Sequence, residues 1–235
     1  IAVRRGCFCE GELPVDHDFE PPCAIRREEV LGASAQLLGR RDVVGKVRAR
    51  EEHRAGFGEL QRLHRLHQPR CAAVSTGTGL GAALRIPDAG RAVILATEAG
   101  QATLAPETEF EFDILRDLRT RIPRVQIEHV LSGTGLVTLH RAIAALRGVA
   151  IPARSAADIT AAALSKSDPI AVETADVFCG WLGSVLGDLA LIYGADGGIW
   201  LAGGVLPQMK DLVARSQFVA RFLDKGVMRD VLART

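Results

Sequence analysis

Between Asp168 and Gly194 the sequence reads as one long helix, and its composition fixes where such a helix lies. Asp168 is an N-cap residue type. Pro169 follows at the first helical position, where its fixed φ fits and its missing N–H is not needed. Gly194 supplies a C-terminal stop. From Ala175 to Tyr193 the run is apolar on nearly every side, broken only by Asp176, Ser184, Asp188 and three glycines. Those interruptions are too polar for a membrane span. A helix apolar all round needs cover all round. The chain must therefore place this helix inside a layered domain.

Composition agrees. The 235 residues suffice for one large domain or two small ones. Apolar residues at 48% and charged residues at 24% exclude wholesale disorder. Aromatics are only 5%, so the core is built from Ala, Val, Leu and Ile. Twenty-nine basic residues face 28 acidic ones, for a net charge of +1. Such a balance gives no global attraction to nucleic acid or anionic membrane, and neither is expected as a partner. Five scattered cysteines form no disulfide scaffold. With no secretory signal at the start, they point to a reducing, cytoplasmic compartment. The first residue is Ile1, which suggests a fragment or a processed product.

The chain divides near residue 70. Residues 1–70 hold four of the six histidines, three of the five cysteines and recurrent arginines with little apolar periodicity. Glu51, Glu52 and Glu59 cancel much of that basic charge. Cys7, Cys9, His17 and Cys23 fit no standard zinc spacing, so no metal site is expected. Residues 71–235 carry consistent local signals. Cys71–Ser75, Ala82–Ile86 and Arg91–Ala96 read as buried strands, the first two joined by a turn over Gly77–Gly81. Thr108 and Glu111 form a capping-box pattern, followed by Phe110, Ile114, Leu115, Leu118 and Ile122 on one helical side and then Pro123. Leu136, Leu139, Ile143 and Leu146 mark a second amphipathic helix, and Ser155–Asp158 opens a third. Ile199–Ala202 is a strand, and Ser216 and Gly226 bracket a last helix. There is no internal repeat. Hairpin-paired strands followed by long helices and a further strand predict a mixed α/β sheet flanked by helices.

Several of these segments carry chemistry. Gly77, Gly79 and Gly81 alternate around Thr78 and Leu80. Glycine permits backbone conformations closed to other residues, so successive N–H groups can converge on an anion with the Thr78 hydroxyl beside them. Taken alone, a glycine-rich hairpin serves structure as readily as binding. Gly197-Gly198 and Gly203-Gly204 flank the Ile199 strand and admit a close ligand or a tight helix–sheet contact. Glu98 and Gln101 follow an apolar strand, and Glu128 precedes the Ser132-Gly133-Thr134-Gly135 glycine turn. Carboxylates accept from sugar hydroxyls and an amide both donates and accepts; incidental surface polarity explains each one equally well in isolation.

The series is more specific than its parts. GTGLG (77–81), TEAGQ (97–101) with LAPETEFE (104–111), IEHVLSGTGLVTLHRAI (127–143), GGIWLAGGVLP (197–207) and FLDKGVMRD (222–230) occur in one order. In this the chain resembles the bacterial glucokinase family, over roughly 165 residues from Cys71 onward. The resemblance implies an actin-like ATPase (ribonuclease H-like) fold, with two α/β domains around a cleft. It implies transfer of the γ-phosphoryl group of ATP, with Mg²⁺, to the 6-hydroxyl of glucose, and a homodimer. Gly77, Thr78, Gly79 and Gly81 then form a phosphate loop, and Gly203 and Gly204 belong to the adenosine segment. Glu98 and Glu128 bind glucose, thirty residues apart, and Gln101 stands where the family usually has His. By count of residues, Asp16–Phe19 and Arg41-Asp42-Val43 fall at family sugar-site segments, making Asp42 the catalytic base and Arg41 the replacement of a glucose-binding Asn. A matching length with foreign composition over 1–70 is what a reading-frame disturbance would leave. The family's N-terminal Asp-x-Gly-Gly-Thr-Asn loop and its last strand have no counterpart in these residues. The expectation is thus a large domain (71–235) mostly complete, a small domain (1–70) mostly missing, and weak or absent catalysis. A non-catalytic sugar- or nucleotide-binding remnant is the alternative; a sugar-responsive repressor would add a helix-turn-helix and a zinc-binding cysteine cluster.

Overall fold

Strand β2 (Cys71–Thr76) alternates half-buried and buried residues, with Ala72, Val74 and Thr76 pointing into the core. That period of two is a sheet with one face against helices. The computed structural model describes residues 2–3, 69–88 and 91–235. Arg41, Asp42 and the Asp16–Phe19 segment lie outside the described residues.

Among the described residues the sheet has five strands, in the order β1 (Ala2–Val3), β5 (Ile199–Ala202), β2, β3 (Leu80–Asp88) and β4 (Arg91–Thr97). Strands β2, β3 and β4 form an antiparallel meander. Strand β5 joins β2 in parallel, and the two-residue β1 joins β5 in parallel. The sheet is therefore mixed, and β5 reaches β2 only through a long helical crossover. One expectation fails here. The β4 strand is not buried: Val93, Ile94 and Leu95 are about half exposed, at 52%, 50% and 50%. Among the described strands it is an outermost one, and an apolar run alone does not distinguish an edge strand from a covered one.

The helices begin where their caps say. In α1 (Glu109–Arg119), Thr108 Oγ1 accepts from the Glu111 amide at 3.2 Å and Glu111 Oε2 accepts from the Thr108 amide at 3.3 Å. Ile114 and Leu118 are buried. In α2 (Gly133–Leu146), Ser132 is the N-cap, its Oγ accepting from Gly135 N at 2.9 Å. The Ser132–Gly135 stretch is thus a helix start and not a free turn. Leu136, Leu139 and Ile143 face the core, but Leu146 is exposed at the helix end. Ser155 and Asp158 form a full capping box at α3 (Ala156–Ser165).

The long helix α4 (Pro169–Tyr193) spans 25 residues, capped by Asp168 Oδ1 on the Ile170 amide at 2.9 Å and closed by Gly194 at φ 59°. It packs against α2, α3 and α6 (Phe218–Leu223), burying Phe178, Trp181, Leu182 and Leu186. Its polar interruptions do not by themselves exclude a membrane span, contrary to the expectation from sequence, since its length and composition would suit one; burial decides the matter, because 72% of its most apolar stretch lies inside the protein. Its glycines have a packing role: a Cβ on Gly183 or Gly187 would lie 2.2 Å from Phe218 O or 2.6 Å from Phe222 O, so α6 can approach only a bare backbone. Trp181 Nε1 donates to Ala105 O at 2.9 Å, satisfying the one polar atom of the indole.

Beyond β5, a 3₁₀ turn (Leu206–Met209) leads into α5 (Lys210–Arg215) and then α6. The last helix expected between Ser216 and Gly226 is the six-residue α6, and a further short helix α7 (Arg229–Leu232) follows Gly226. Arg221 on α6 ties three elements together. Its Nη1 and Nη2 donate to Glu111 Oε1 and Oε2 on α1 at 2.9 and 3.1 Å, and its Nε donates to Ser184 Oγ on α4 at 2.9 Å.

Candidate functional site

The turn between β2 and β3 is shorter than the glycine pattern suggests. Thr76 already pairs with Leu80 and Ser75 with Gly81. Only Gly77, Thr78 and Gly79 form the turn, closed by Gly77 N donating to Gly79 O at 2.9 Å. Gly81 belongs to β3. None of the three glycines has a positive φ, so unusual backbone conformation is not what they supply. Gly79 supplies space: a Cβ there would stand 2.7 Å from Glu128 Oε2. Around Gly77 and Gly81 nothing lies within 4 Å of an added Cβ, and the Thr78 tip is exposed.

Glu128 sits in the 3₁₀ turn Ile127–His129, anchored by buried Ile127. The segment before it runs beside the segment after β4: Ile127 N donates to Ala102 O at 2.9 Å, Leu104 N to Val125 O at 3.1 Å, and Thr103 bridges Gln126. This pairing brings the two acidic turns to one end of the sheet. Gln101 Nε2 donates to Glu128 Oε1 at 2.6 Å, and Leu80 N reaches Glu128 Oε2 at 3.5 Å. Gln101 is itself held by Arg124, whose Nη2 donates to Gln101 O at 2.8 Å. His129 Nδ1 accepts from Gln126 N at 3.1 Å, which assigns its proton to Nε2 when the ring is neutral.

Glu98 caps the other acidic turn, the 3₁₀ segment Ala99–Gln101, with its carbonyl accepting from Gln101 N at 3.0 Å. Its side chain is exposed. Gly100, two residues on, is pressed against Leu80 O, and a Cβ there would meet Glu128 Oε2 at 3.3 Å. Glu98 is thus carried on the turn that touches both Glu128 and the start of β3. Just before it, Thr97 Oγ1 contacts the Tyr193 hydroxyl at 2.5 Å, pinning the end of β4 to the end of α4.

The N-terminus of α2 closes on the same hairpin. Gly133 N donates to Gly77 O at 2.8 Å and Thr134 Oγ1 to Thr78 O at 3.3 Å. On the other side, Gly203 has φ 100°, and a Cβ on it would lie 2.2 Å from Thr76 O. The Gly203-Gly204 segment therefore crosses the end of β2 at the base of the hairpin, where Thr76 Oγ1 is buried without a hydrogen-bond partner. Among the described residues no group of three or more His, Cys, Asp and Glu side chains is placed to hold a metal ion.

Gln101, Glu128, Gly77, Thr78 and Gly79 form one continuous contact set. Glu98 and Gly203 border it, Gly204 follows Gly203, and Gly81 lies in the adjoining strand. Ser132, Thr134 and Arg124 support the set and were not singled out from sequence. The Ser132 cap ahead of the Leu136 stripe is the signal that could have identified the first two.

The glucokinase pattern of conserved protein families matches residues 48–235. The chain belongs to the glucokinase family. Its match begins ahead of Cys71, inside the stretch whose residues show little visible resemblance. The chain is 48% identical over 157 residues to a glucokinase-like protein of Xylella fastidiosa, covering 66% of this chain and 47% of that one. It is 47% identical over 161 residues to a Nitrobacter hamburgensis glucokinase, covering 68% and 50%. It spans about half the length of the curated relatives it matches. Among solved structures, glucokinase from an Antarctic psychrotroph superposes with a TM-score of 0.67 at 38% identity, covering 71% of this chain and 52% of the other. A Balamuthia mandrillaris glucokinase solved with glucose superposes at 0.57 with 18% identity, covering 71% and 53%, which speaks to fold. The expected fold, that of the actin-like sugar kinases, is the one found.

Proposed function

We propose that the cluster around Glu128 is the hexose site of a glucokinase and that the Gly77–Gly79 turn takes phosphate oxygens of ATP. The reaction is phosphoryl transfer from ATP to the 6-hydroxyl of glucose in the cytoplasm. The observation that carries this reading is the Glu128 carboxylate, bonded to Gln101 at 2.6 Å and seated against Gly79, where a Cβ would come within 2.7 Å. Sugar acid and hairpin are thereby neighbours, as a transfer between a bound sugar and a bound nucleotide requires.

Phosphoryl transfer asks for in-line positioning and neutralised charge more than covalent chemistry. In this reading Glu98 and Glu128 accept hydrogen bonds from sugar hydroxyls, and Gln101 holds Glu128 in place. Asp42 accepts the 6-hydroxyl proton, a role worth about 10²–10⁴-fold in rate, and Arg41 adds a sugar contact. Thr78, Gly79 and Gly81 offer a phosphate-facing edge, and Gly203 and Gly204 leave room for adenosine beside β2. Mg²⁺ enters as part of the nucleotide substrate, since that ion keeps waters and binds through phosphates. A homodimer, with no nucleic-acid or membrane partner, completes the proposal.

Calorimetry on the 235-residue chain with glucose and with Mg-AMPPNP tests binding, and a coupled assay for glucose 6-phosphate tests transfer. Glucose binding lost in Glu128→Gln, with turnover well below the enzyme median of about 10 s⁻¹, is the expected result. Binding of both ligands with no turnover at all would favour the non-catalytic remnant. No glucose binding by the unsubstituted chain would refute the proposal.

A further inference from the structure

The hydrogen bonds at the start of α2 contain more acceptors than protons. Ser132 and Thr134 each carry one hydroxyl proton and two lone pairs. Ser132 Oγ donates to Glu128 O at 2.7 Å, the shortest contact in the set, and accepts from Gly135 N at 2.9 Å. That leaves one Ser132 lone pair, and Thr134 Oγ1 faces it at 3.1 Å. Thr134 Oγ1 also stands 3.3 Å from Thr78 O at the hairpin tip. Its single proton therefore has two acceptors and can satisfy one at a time. The bond to Thr78 lies at the long, weak end of the range. Threonine in a helix populates two χ1 wells, and Thr134 is exposed, so a turn of its hydroxyl is sterically open.

We infer that Thr134 is a two-position latch on the phosphate hairpin. With its proton on Thr78 O it holds the tip; with its proton on Ser132 Oγ it releases the tip at no net loss of a hydrogen bond. The tip then pivots on the fixed link from Gly133 N to Gly77 O, 2.8 Å long. The latch is also joined to the sugar side. Ser132, the alternative acceptor, is bonded to the carbonyl of Glu128, whose carboxylate reaches Leu80 N on the far side of the turn at 3.5 Å. The position of the Thr134 proton thus decides whether its hydroxyl is bonded to the sugar side, through Ser132, or to the phosphate turn, through Thr78 O. Thr134 acts through Thr78 and is a positioning residue; the inference rests on the hairpin being the phosphate site.

Amide hydrogen exchange on the 235-residue chain tests it, read at Gly77 and Leu80, whose N–H bonds lie at the tip, with the pivot amide of Gly133 and the strand amide of Leu84 as controls. Thr134→Val is expected to speed exchange at the two tip amides about threefold to tenfold, the worth of one ordinary hydrogen bond, with Gly133 and Leu84 unchanged. Thr134→Ser keeps the hydroxyl and restores the original rates. Mg-AMPPNP slows tip exchange in the unsubstituted chain and binds Thr134→Val about threefold to tenfold more weakly, since that variant must order the tip on binding. Unchanged tip exchange in Thr134→Val, or an equal change at Leu84, overturns the latch while leaving the phosphate assignment intact. No slowing by Mg-AMPPNP in the unsubstituted chain overturns the phosphate assignment, and the latch's role falls with it.

Discussion

Glu128 and Gly79 approach each other more closely than any other residue at position 79 permits, since a Cβ there would lie 2.7 Å from Glu128 Oε2. The contact joins residues 49 positions apart, and it places a carboxylate on the backbone of a turn whose tip stays open. The alternating glycines matter here through the room one of them leaves. Because the turn has no positive φ, any L-residue fits its backbone, and only the carboxylate selects glycine at 79.

That separation of causes makes Gly79→Ala informative. The backbone bears no strain, so the methyl acts by displacing the flexible end of Glu128. Displacement breaks the 2.6 Å bond from Gln101, a bond to a charged group worth about 1.5–3 kcal/mol. Glucose affinity measured by calorimetry should fall by about 10- to 100-fold, while the thermal midpoint moves little. An unaltered affinity would detach Glu128 from sugar binding.

What the sequence disclosed follows the range of each signal. The Thr108–Glu111 box, the Asp168-Pro169 start and the Gly194 stop act within four residues, and all three appear where expected. The order of glycine and acid motifs was legible through family resemblance. Four features were not legible. Which alternate glycine is turn and which is strand depends on β2–β3 register, set by pairing along the whole hairpin. The exposure of β4 depends on its edge position in the sheet. Ser132-Gly133-Thr134-Gly135 resembles a loop because of its glycines, and only the Ser132 cap and the Leu136 stripe behind it make it a helix start. The partner of Glu111 was hidden for a related reason: it lies 110 positions away.

The Glu111–Arg221 pair gives a second prediction. The Glu111 side chain is 3% exposed and the Arg221 side chain 10%; Arg221 Nε also lies 2.9 Å from Glu107 Oε2, so it is the deeply buried Glu111 charge that depends on the arginine. Glu111 Oε2 also accepts from Glu107 N at 2.7 Å and Thr108 N at 3.3 Å. Arg221→Met removes the cation and strands the carboxylate, which should cost about 3–5 kcal/mol in urea unfolding. Adding Glu111→Gln removes the stranded charge while keeping an acceptor for both amides, and most of the loss should return. If the double variant is no more stable than Arg221→Met, the cost arises from lost packing of the arginine stem and not from an unpaired charge.

His140 on α2 offers a third, through pH. The ring is buried, 1% exposed, with Nε2 lacking a hydrogen-bond partner and lying 3.9 Å from Asp168 Oδ2. Burial pushes the imidazole below its ordinary value of 6.5; Asp168 pulls the other way, while Arg154 and Arg141 add to the depression. Arg154 Nη1 already occupies Asp168 Oδ2 at 2.9 Å, which weakens that carboxylate as a partner for a protonated ring. In the unfolded chain the ring returns to about 6.5. Between the depressed folded value and 6.5 the unfolded chain binds the extra proton, so unfolding free energy rises with pH across that window. The contribution is complete above about pH 6.5 and is lost as pH falls toward the folded value, with a slope of at most about 1.4 kcal/mol per pH unit. Urea unfolding of the unsubstituted chain and of His140→Gln, compared from pH 7.5 down to 5, isolates this group from the other histidines. The difference between them should shrink steadily as pH falls. A difference that stays constant over that interval would mean that His140 takes up its proton equally in the folded and unfolded chains.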